Sequence, residues 1–295
     1  MKTTLVKSYH FESVDSTMNV AKMLAMKSEV SELPIVGEVD IKCSQLSDLA
    51  VITADEQVSG RGRFVRHWHS EKGAGLYVTY QFSIPVGFSK LNGFSLAVGV
   101  AVKRVVDKFA VRAKLKWPND VVVFNEQNEL CKLAGILVEL VSVGSGDSER
   151  LYVSTGIGLN LKQTLYPANL MQKAISLEEL SGSNEVRRDD LQQKLNAEFW
   201  KVCDEYFMNG FCAGFKAEWE KHNACAGMRV KVSSGTGMGF VGAGPCACPA
   251  VGWGALREQV GTMIGVDDDG NLLLRDEQTN EIARISIGDV SLNMA

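Results

Sequence analysis

Four short apolar runs between residues 115 and 155 constrain the fold of this chain most strongly, because only brief polar segments separate them. The runs cover residues 115–117, 121–124, 132–143 and 151–155, and they are rich in β-branched residues that favour strands. Short connections join antiparallel neighbours, since a parallel pair needs a crossover of about a dozen residues. The sequence therefore predicts an antiparallel meander in the middle of the chain.

Helical patterns flank these strands. Residues 94–109 and 189–207 carry apolar side chains at helical spacing, which predicts two amphipathic helices. A shorter helix is predicted over residues 16–27, because the hydroxyl of Ser16 or Thr17 can accept a hydrogen bond from a free N–H at its start. Buried strands are predicted at residues 49–54 and 75–84. The order indicates an α+β fold with a large β-sheet and flanking helices.

The composition of the sequence changes after Trp219, where glycine becomes frequent and apolar residues no longer recur at helical spacing. Strands are predicted at residues 228–232, 272–274 and 282–287, with a long glycine-rich loop over residues 233–254. We therefore expect two domains, a large one over residues 1–223 and a small β-barrel over residues 224–295.

Charge and composition exclude several classes of protein. The net charge of −4 and the pI near 5.7 disfavour bulk electrostatic binding to nucleic acid. No apolar run approaches the roughly 20 residues that cross a bilayer, and the first residues lack the apolar segment of a secretory signal. Seven scattered cysteines fit reduced thiols better than a disulfide framework. We expect a cytoplasmic protein without nucleic-acid or membrane partners.

Three motifs carry possible chemistry. In Gly60-Arg61-Gly62-Arg63, glycine N–H groups and guanidinium forks suit a carboxylate or phosphate, although a solvated basic turn is an equal alternative. Residues 116–120 bring an Asn amide beside the carboxylate of Asp120, which could hold a cation or accept a proton. Lys132 stands at the start of a strong β run, where its ammonium could meet phosphates. Singly, each of these groups is more often an ordinary surface charge.

A fourth motif, residues 156–160, follows a predicted strand and resembles half of a dinucleotide fingerprint. The helix and the acidic partner that this fingerprint requires are both missing. Taken in order, the motifs from residue 15 to residue 160 resemble those of biotin protein ligases that have no N-terminal DNA-binding domain. The resemblance implies a mixed-sheet catalytic domain, similar to lipoate ligases and class II aminoacyl-tRNA synthetases, and a small SH3-like barrel.

The resemblance also implies roles for individual residues. Biotin would contact Ser16, Thr17, Met18, Gln57, Gly60, Arg61, Gly62, Arg63 and Lys132. ATP would contact Arg61, Arg63, Trp68, Asn119, Lys132 and Asn160. The catalytic groups would be Arg63, Lys132 and Asp120, with Asp120 also a possible ligand of Mg²⁺. Many family members have Asn where this chain has Met18, and a third loop glycine where it has Val65.

The expected reaction has two steps: biotin and ATP form biotinyl-AMP, and a lysine of a biotin carboxyl carrier domain then accepts the biotin. A lipoate ligase remains an alternative because the scaffold would be shared, and so does a biotin-binding module without activity. A biotin-sensing DNA-binding repressor is disfavoured, because the biotin motif begins near Asp15. We expect a monomer or a weak homodimer.

Overall fold

The computed structural model describes residues 3–26, 35–42, 46–85, 91–145, 149–162, 173–182, 186–234 and 257–292, which form two β-sheets and five α-helices. The strands are β1 Thr3–Val14, β2 Ile35–Lys42, β3 Ser47–Gln57, β4 Gly75–Pro85, β5 Lys114–Lys116, β6 Asp120–Phe124, β7 Leu130–Val143, β8 Arg150–Asn160, β9 Arg229–Ser234, β10 Arg257–Val266, β11 Leu272–Asp276, β12 Ile282–Ile285 and β13 Asp289–Leu292. The helices are α1 Thr17–Met26, α2 Phe94–Asp107, α3 Leu177–Ser181, α4 Arg188–Phe211 and α5 Ala217–Lys221.

The large sheet has the strand order β2-β1-β3-β4-β8-β7-β6-β5. Strands β1 and β3 run parallel, and the other neighbouring strands pair antiparallel, so the sheet is mixed. Strands β5 to β8 form the antiparallel meander that the four apolar runs predict. The predicted α+β class, with a large mixed sheet and a small β unit, is confirmed.

Helices cover both faces of this sheet. Helices α2 and α4 contact each other, and the ring of Tyr80 on β4 stacks on Phe199 of α4 at 3.9 Å between centroids. Helix α1 packs on β3, β4 and β8 and buries Met18. Both long helices lie where periodicity predicts them, although α4 extends four residues further, to Phe211. Helix α1 ends at Met26, and residue 27 of the prediction lies outside the described residues.

One local prediction was wrong. The strand predicted to stop at Thr155 continues to Asn160, because Gly156 and Gly158 keep their ladder pairing with β4 and β7. The connection between β6 and β7 is short, because residues 125–129 make a tight hairpin turn. In that turn the side chain of Asn125 accepts hydrogen bonds from the N–H groups of Gln127 and Glu129, and β7 starts at Leu130.

The second sheet has the order β12-β11-β10-β9-β13 and is antiparallel throughout. The sequence predicted β9, β11 and β12, but not β10 or β13. Asn223 forms a bridge to Leu115, and the N–H of Ala224 donates to the carbonyl of Leu115 at 2.7 Å, so residue 224 is still attached to the large sheet. The domain boundary at residues 223 and 224 stays a proposal. Most of the predicted glycine-rich loop, from residue 235 onward, lies outside the described residues.

Candidate active site

A cavity of about 980 Å³ opens where β7 and β8 meet the segment of residues 60–66, called the Gly-Arg loop below, and strand β13. This volume suits a ligand of the size of a nucleotide or a vitamin. With the exception of Gly60, every residue that the sequence assigned to the site lines the cavity. The walls differ in chemistry, and two ends can be distinguished.

One end, called the neutral end, is built from buried uncharged side chains. The N–H and the hydroxyl of Thr17 both donate to Oε1 of Gln57, at 2.9 and 3.1 Å. Thr79 donates to Oγ1 of Thr17 at 2.8 Å, and Nε2 of Gln57 donates to Ser70 at 2.9 Å. Each of these four residues is at most 9% exposed. Because buried polar groups are costly unless they are paired, this relay fixes their orientation before any ligand binds.

Three glycines of β7 and β8 form the floor of the cavity. A methyl group on Gly156 would lie 2.8 Å from Sδ of Met18, and one on Gly158 would lie 2.4 Å from Cε2 of Trp68. Gly135, paired with Gly158, would bring a methyl group within 2.9 Å of both Trp68 and Lys132. The absence of side chains here lets Met18 and Trp68 lie directly on the sheet.

The other end, called the cationic end, centres on Asp120. Its Oδ1 lies 2.6 Å from Nζ of Lys132, and its Oδ2 lies 3.9 Å from Nζ of Lys116. Burial lowers the pKa of Lys116, and the charge of Asp120 opposes that shift. The ammonium of Lys132 also lies 5.2 Å from the centre of the Trp68 ring, within the range of a cation–π contact. Two ammonium groups therefore share one carboxylate beside an aromatic wall.

The Gly-Arg loop closes the cavity between these two ends. The loop residue Arg61 donates to Asn19 of α1 at 2.9 Å and pairs with Glu139 of β7. Arg63 donates through Nη1 to Asp289 at 3.1 Å, and its guanidinium lies 4.7 Å from the centre of the Phe64 ring. Burial lowers the pKa of Arg63, and Asp289 opposes the shift. The loop thus places Arg61 and Arg63 on the side of the cavity opposite the floor formed by β7 and β8.

Comparison with known proteins agrees with this geometry. The family model of the biotin/lipoate A/B protein ligase family matches residues 25–160. The bifunctional ligase/repressor BirA of Bacillus subtilis is 29% identical over 249 residues, and the match covers 82% of this chain and 66% of BirA. A biotin–[acetyl-CoA-carboxylase] ligase of Paracoccus denitrificans is 34% identical over 127 residues, covering 39% of this chain and 46% of that ligase.

Among solved structures, the biotin protein ligase of Aquifex aeolicus in complex with biotin and ATP has the same fold. Its TM-score is 0.66 at 24% sequence identity, and the match covers 98% of this chain and 99% of that one. The chain therefore resembles biotin protein ligases in sequence and in fold. It spans slightly less than two thirds of the length of the Bacillus relative.

Gly60 does not line the cavity and supports the site from behind its wall. A methyl group on Gly60 would lie 2.4 Å from the carbonyl oxygen of Trp68, whose N–H donates to the carbonyl of Gly60 at 2.8 Å. The methyl group would also meet Oγ of Ser70 at 2.7 Å. Glycine at this position therefore lets the loop return close enough to place Trp68.

Asn119 and Asn160 both reach the cavity, but their side-chain amide groups already bind main-chain carbonyl groups. The side chain of Asn119 donates to the carbonyl of Ile136 at 2.7 Å. Asn160 donates to the carbonyls of Lys132 and Ile175, each at 3.2 Å. These hydrogen bonds hold the turn before β6 and the segment beside Lys132 in place. Both side chains therefore stabilise the main chain around the cationic end.

Several groups at the site were not among the residues that the sequence assigned to it. Ser70 and Thr79 complete the neutral relay, Lys116 is the second ammonium at Asp120, and Asp289 receives two arginines of the Gly-Arg loop. Sheet register or long-range packing brings each of them to its partner at the site. Trp68 adds one further feature: its Nε1 is buried and has no acceptor among the described residues, so it can donate to a ligand oxygen.

The donor set for a resident metal ion is poor. No group of three or more His, Cys, Asp or Glu side chains is arranged for a metal among the residues that the structure describes. Asp120, the carboxylate expected to serve, lies against the two lysines, whose charges oppose a cation. Mg²⁺ keeps most of its contacts to water and phosphates in many nucleotide sites, so we treat it as part of the nucleotide substrate.

Within the described ranges, no helix is long and apolar enough to cross a membrane.

Proposed function

We propose that this protein is a biotin protein ligase, which activates biotin with ATP and transfers it to a lysine of a biotin carboxyl carrier domain. The observation that carries the proposal is the pairing of a neutral end and a cationic end in one cavity. Such a cavity fits a ligand with an uncharged polar head and an anionic tail, and biotin has both. The name of the Paracoccus relative supports a carboxylase as the source of the acceptor.

The neutral end matches the ureido group of biotin, which offers two N–H donors and one carbonyl acceptor. Oγ of Ser16 and Oγ1 of Thr17 retain lone pairs that can receive the donors. Only one hydrogen of Gln57 Nε2 is used in the hydrogen bonds described above, so the other can reach the carbonyl. We place the sulfur-containing ring of biotin against Met18 and Gly156, where the wall is apolar.

The first step joins the carboxylate of biotin to the α-phosphorus of ATP. A carboxylate oxygen forms a bond to this phosphorus, the bond to the bridging oxygen breaks, and pyrophosphate leaves with its electron pair. Both reactants are anionic, so positive groups must offset their repulsion and the charge that develops on phosphate oxygens. We assign this role to Arg63, Lys116 and Lys132, with Asp120 holding the two lysines in place.

The second step transfers the acyl group. The neutral amine of the acceptor lysine attacks the acyl carbon, an amide bond forms, and AMP leaves as the amine gives up a proton. We propose that the adenine lies beside Trp68 and Asn160, and that the Gly-Arg loop keeps water from the mixed anhydride. Asp120 is engaged by Lys132 at 2.6 Å, which favours an orienting role over proton removal.

Exchange of labelled pyrophosphate into ATP tests the proposal, because reversible adenylation is the step that the cavity should catalyse. We expect exchange that depends on biotin and is not supported by lipoate. Exchange driven by lipoate alone would favour the lipoate ligase, and the absence of exchange with tight biotin binding would indicate a binding module. Incorporation of biotin into a carrier domain then tests the transfer step.

A further inference from the structure

Asp289 lies far from the Gly-Arg loop in sequence, yet both of its carboxylate oxygens bind that loop. Nη1 of Arg63 lies 3.1 Å from Oδ1, and Nη2 of Arg66 contacts Oδ2. Nη1 of Arg63 also donates to the carbonyl of Gly288 at 3.0 Å. Strand β13 of the small sheet therefore begins at the Gly-Arg loop, over a cavity whose floor belongs to the large sheet.

The loop between the two arginines needs such support. Phe64 has φ 54° and ψ 43°, in the left-handed region, which is strained for a residue with a side chain. The turn is closed by hydrogen bonds from Gly62 to the carbonyl of Arg66 at 2.7 Å and from Arg66 to the carbonyl of Arg63 at 3.1 Å. These bonds bring two guanidinium groups close together, where they repel each other unless an anion lies between them.

The carboxylate of Asp289 is that anion. It is 24% exposed and Arg63 is 21% exposed, so solvent screens their attraction less than it would at the surface. Its contacts with Arg63 use Nη1 alone, and a guanidinium has five N–H donors. Arg63 can therefore bind Asp289 and a phosphate oxygen at the same time, and the loop does not have to release one to take the other.

We propose that Asp289 is a positioning residue, which holds Arg63 and Arg66 so that the Gly-Arg loop is already closed when the adenylate forms. This inference rests on the proposed function for the identity of the ligand. It goes beyond that function by assigning part of the lid to the small C-terminal sheet. The small sheet then contributes to retention of the intermediate, whereas Arg63 makes the contact with phosphate.

The test compares Asp289→Asn with Asp268→Asn. Asp268 also joins the small sheet to the large unit, through Lys216 at 2.7 Å, but it does not contact the Gly-Arg loop. Asp289→Glu keeps the charge and should restore most of the behaviour of the wild type. Both substitutions lie at partly or largely exposed positions, and thermal melting of each variant controls for folding.

Two readouts are needed. Without any ligand, hydrogen exchange of the amides of Gly62, Arg66 and Trp68 should be about tenfold faster in Asp289→Asn, since the loop loses charge-assisted hydrogen bonds that oppose its opening. With ligand, biotinyl-AMP should dissociate about ten- to a hundredfold faster, and the KM for biotin should change little. Asp268→Asn should match the wild type in both measurements.

Unchanged exchange in Asp289→Asn, or equal changes in both variants, would overturn the proposal. The ligand-free readout separates this inference from the proposed function. If the wild type forms no adenylate, the proposed function fails, and the exchange of the loop amides still decides whether Asp289 positions the loop. Faster release of biotinyl-AMP with unchanged loop exchange would also contradict the proposal, because Asp289 would then act on the ligand directly.

Discussion

The two ends of the cavity are held together by different interactions. At the neutral end, Ser16, Thr17 and Gln57 are at most 9% exposed and are fixed by hydrogen bonds to one another and to neighbouring strands. At the cationic end, Lys116 and Lys132 share Asp120, and ion pairs between side chains replace the buried relay. The fixed hydrogen bonds of the neutral end favour binding of one ligand shape. At the cationic end, the two lysines can exchange the carboxylate of Asp120 for phosphate oxygens when a nucleotide binds.

This difference predicts that damage at the cationic end reduces the rate of adenylation, whereas damage at the neutral end reduces affinity for biotin. The following predictions test that separation.

The largest effect is expected for Lys132→Ala. Adenylation should fall by on the order of 10²-fold or more, because a charge aimed at developing phosphate charge is lost and Asp120 is left without its closest partner. Transfer from supplied biotinyl-AMP should fall much less. Lys173→Ala is the matched control, since Lys173 lines the same cavity but is 63% exposed and pairs with Glu129. An equal loss in both assays would remove the assigned role.

A second prediction concerns Gln57→Met. The N–H and the hydroxyl of Thr17 would lose their acceptor, at about 1–3 kcal/mol for each buried donor left unpaired. The hydroxyl of Ser70 would lose one donor but keep its hydrogen bond to the carbonyl of Trp68. The KM for biotin should rise about ten- to a hundredfold, with little change in the KM for ATP. Gln81→Met is the control, because Gln81 is buried on β4 and binds Ala21 and Ser154 outside the cavity. Similar loss of biotin affinity in both variants would show that general destabilisation is the cause.

The third prediction compares two glycines of the floor. A methyl group at Gly158 would meet the rigid indole of Trp68, whereas one at Gly156 would meet the flexible end of Met18. Overpacking costs about 1–3 kcal/mol, and a methionine relaxes more easily than a tryptophan. Gly158→Ala should therefore weaken ATP binding about tenfold, and Gly156→Ala should weaken biotin binding only a few-fold. The reverse order would mean that Met18 is the more tightly held side chain.

The sequence predicted the elements whose periodicity is local. Helices α2 and α4 and the meander β5 to β8 follow from spacing alone. Strands β2, β10 and β13 were missed, because short or glycine-containing strands depend on partners that lie elsewhere in the chain. The error at residues 156–160 has the same origin, since those glycines look like a turn but are held in β8 by strands on both sides.

The residues of the site also fall into two groups, those that local motifs predict and those that depend on contacts distant in the sequence. Motifs within the sequence, read together, pointed to Thr17, Gln57, Arg63 and Lys132, which all line one cavity. Lys116 lay inside a recognised motif, but its place beside Asp120 depends on the turn into β6. Asp289 could not be predicted, because only the docking of the two sheets brings it to the Gly-Arg loop.

The smallest effect concerns pH. Because burial lowers the pKa of Lys116, this lysine should lose its proton at a lower pH than an ordinary lysine as the pH rises. If its charge helps to hold phosphates, adenylation should decline on the alkaline side through that lowered pKa. Lys116→Arg stays charged and should move the decline to higher pH, with little change at neutral pH. An alkaline limb that does not move would exclude Lys116 from the step.

We expect one ligand to span both ends of the cavity in a fixed orientation. A crystal structure with a non-hydrolysable analogue of biotinyl-AMP would show this orientation. The ureido group should lie within hydrogen-bond distance of Ser16 and Thr17, and the phosphate mimic within reach of Arg63 and Lys132. An analogue bound in the opposite orientation, or held with its anionic group away from both Arg63 and Lys132, would contradict this expectation.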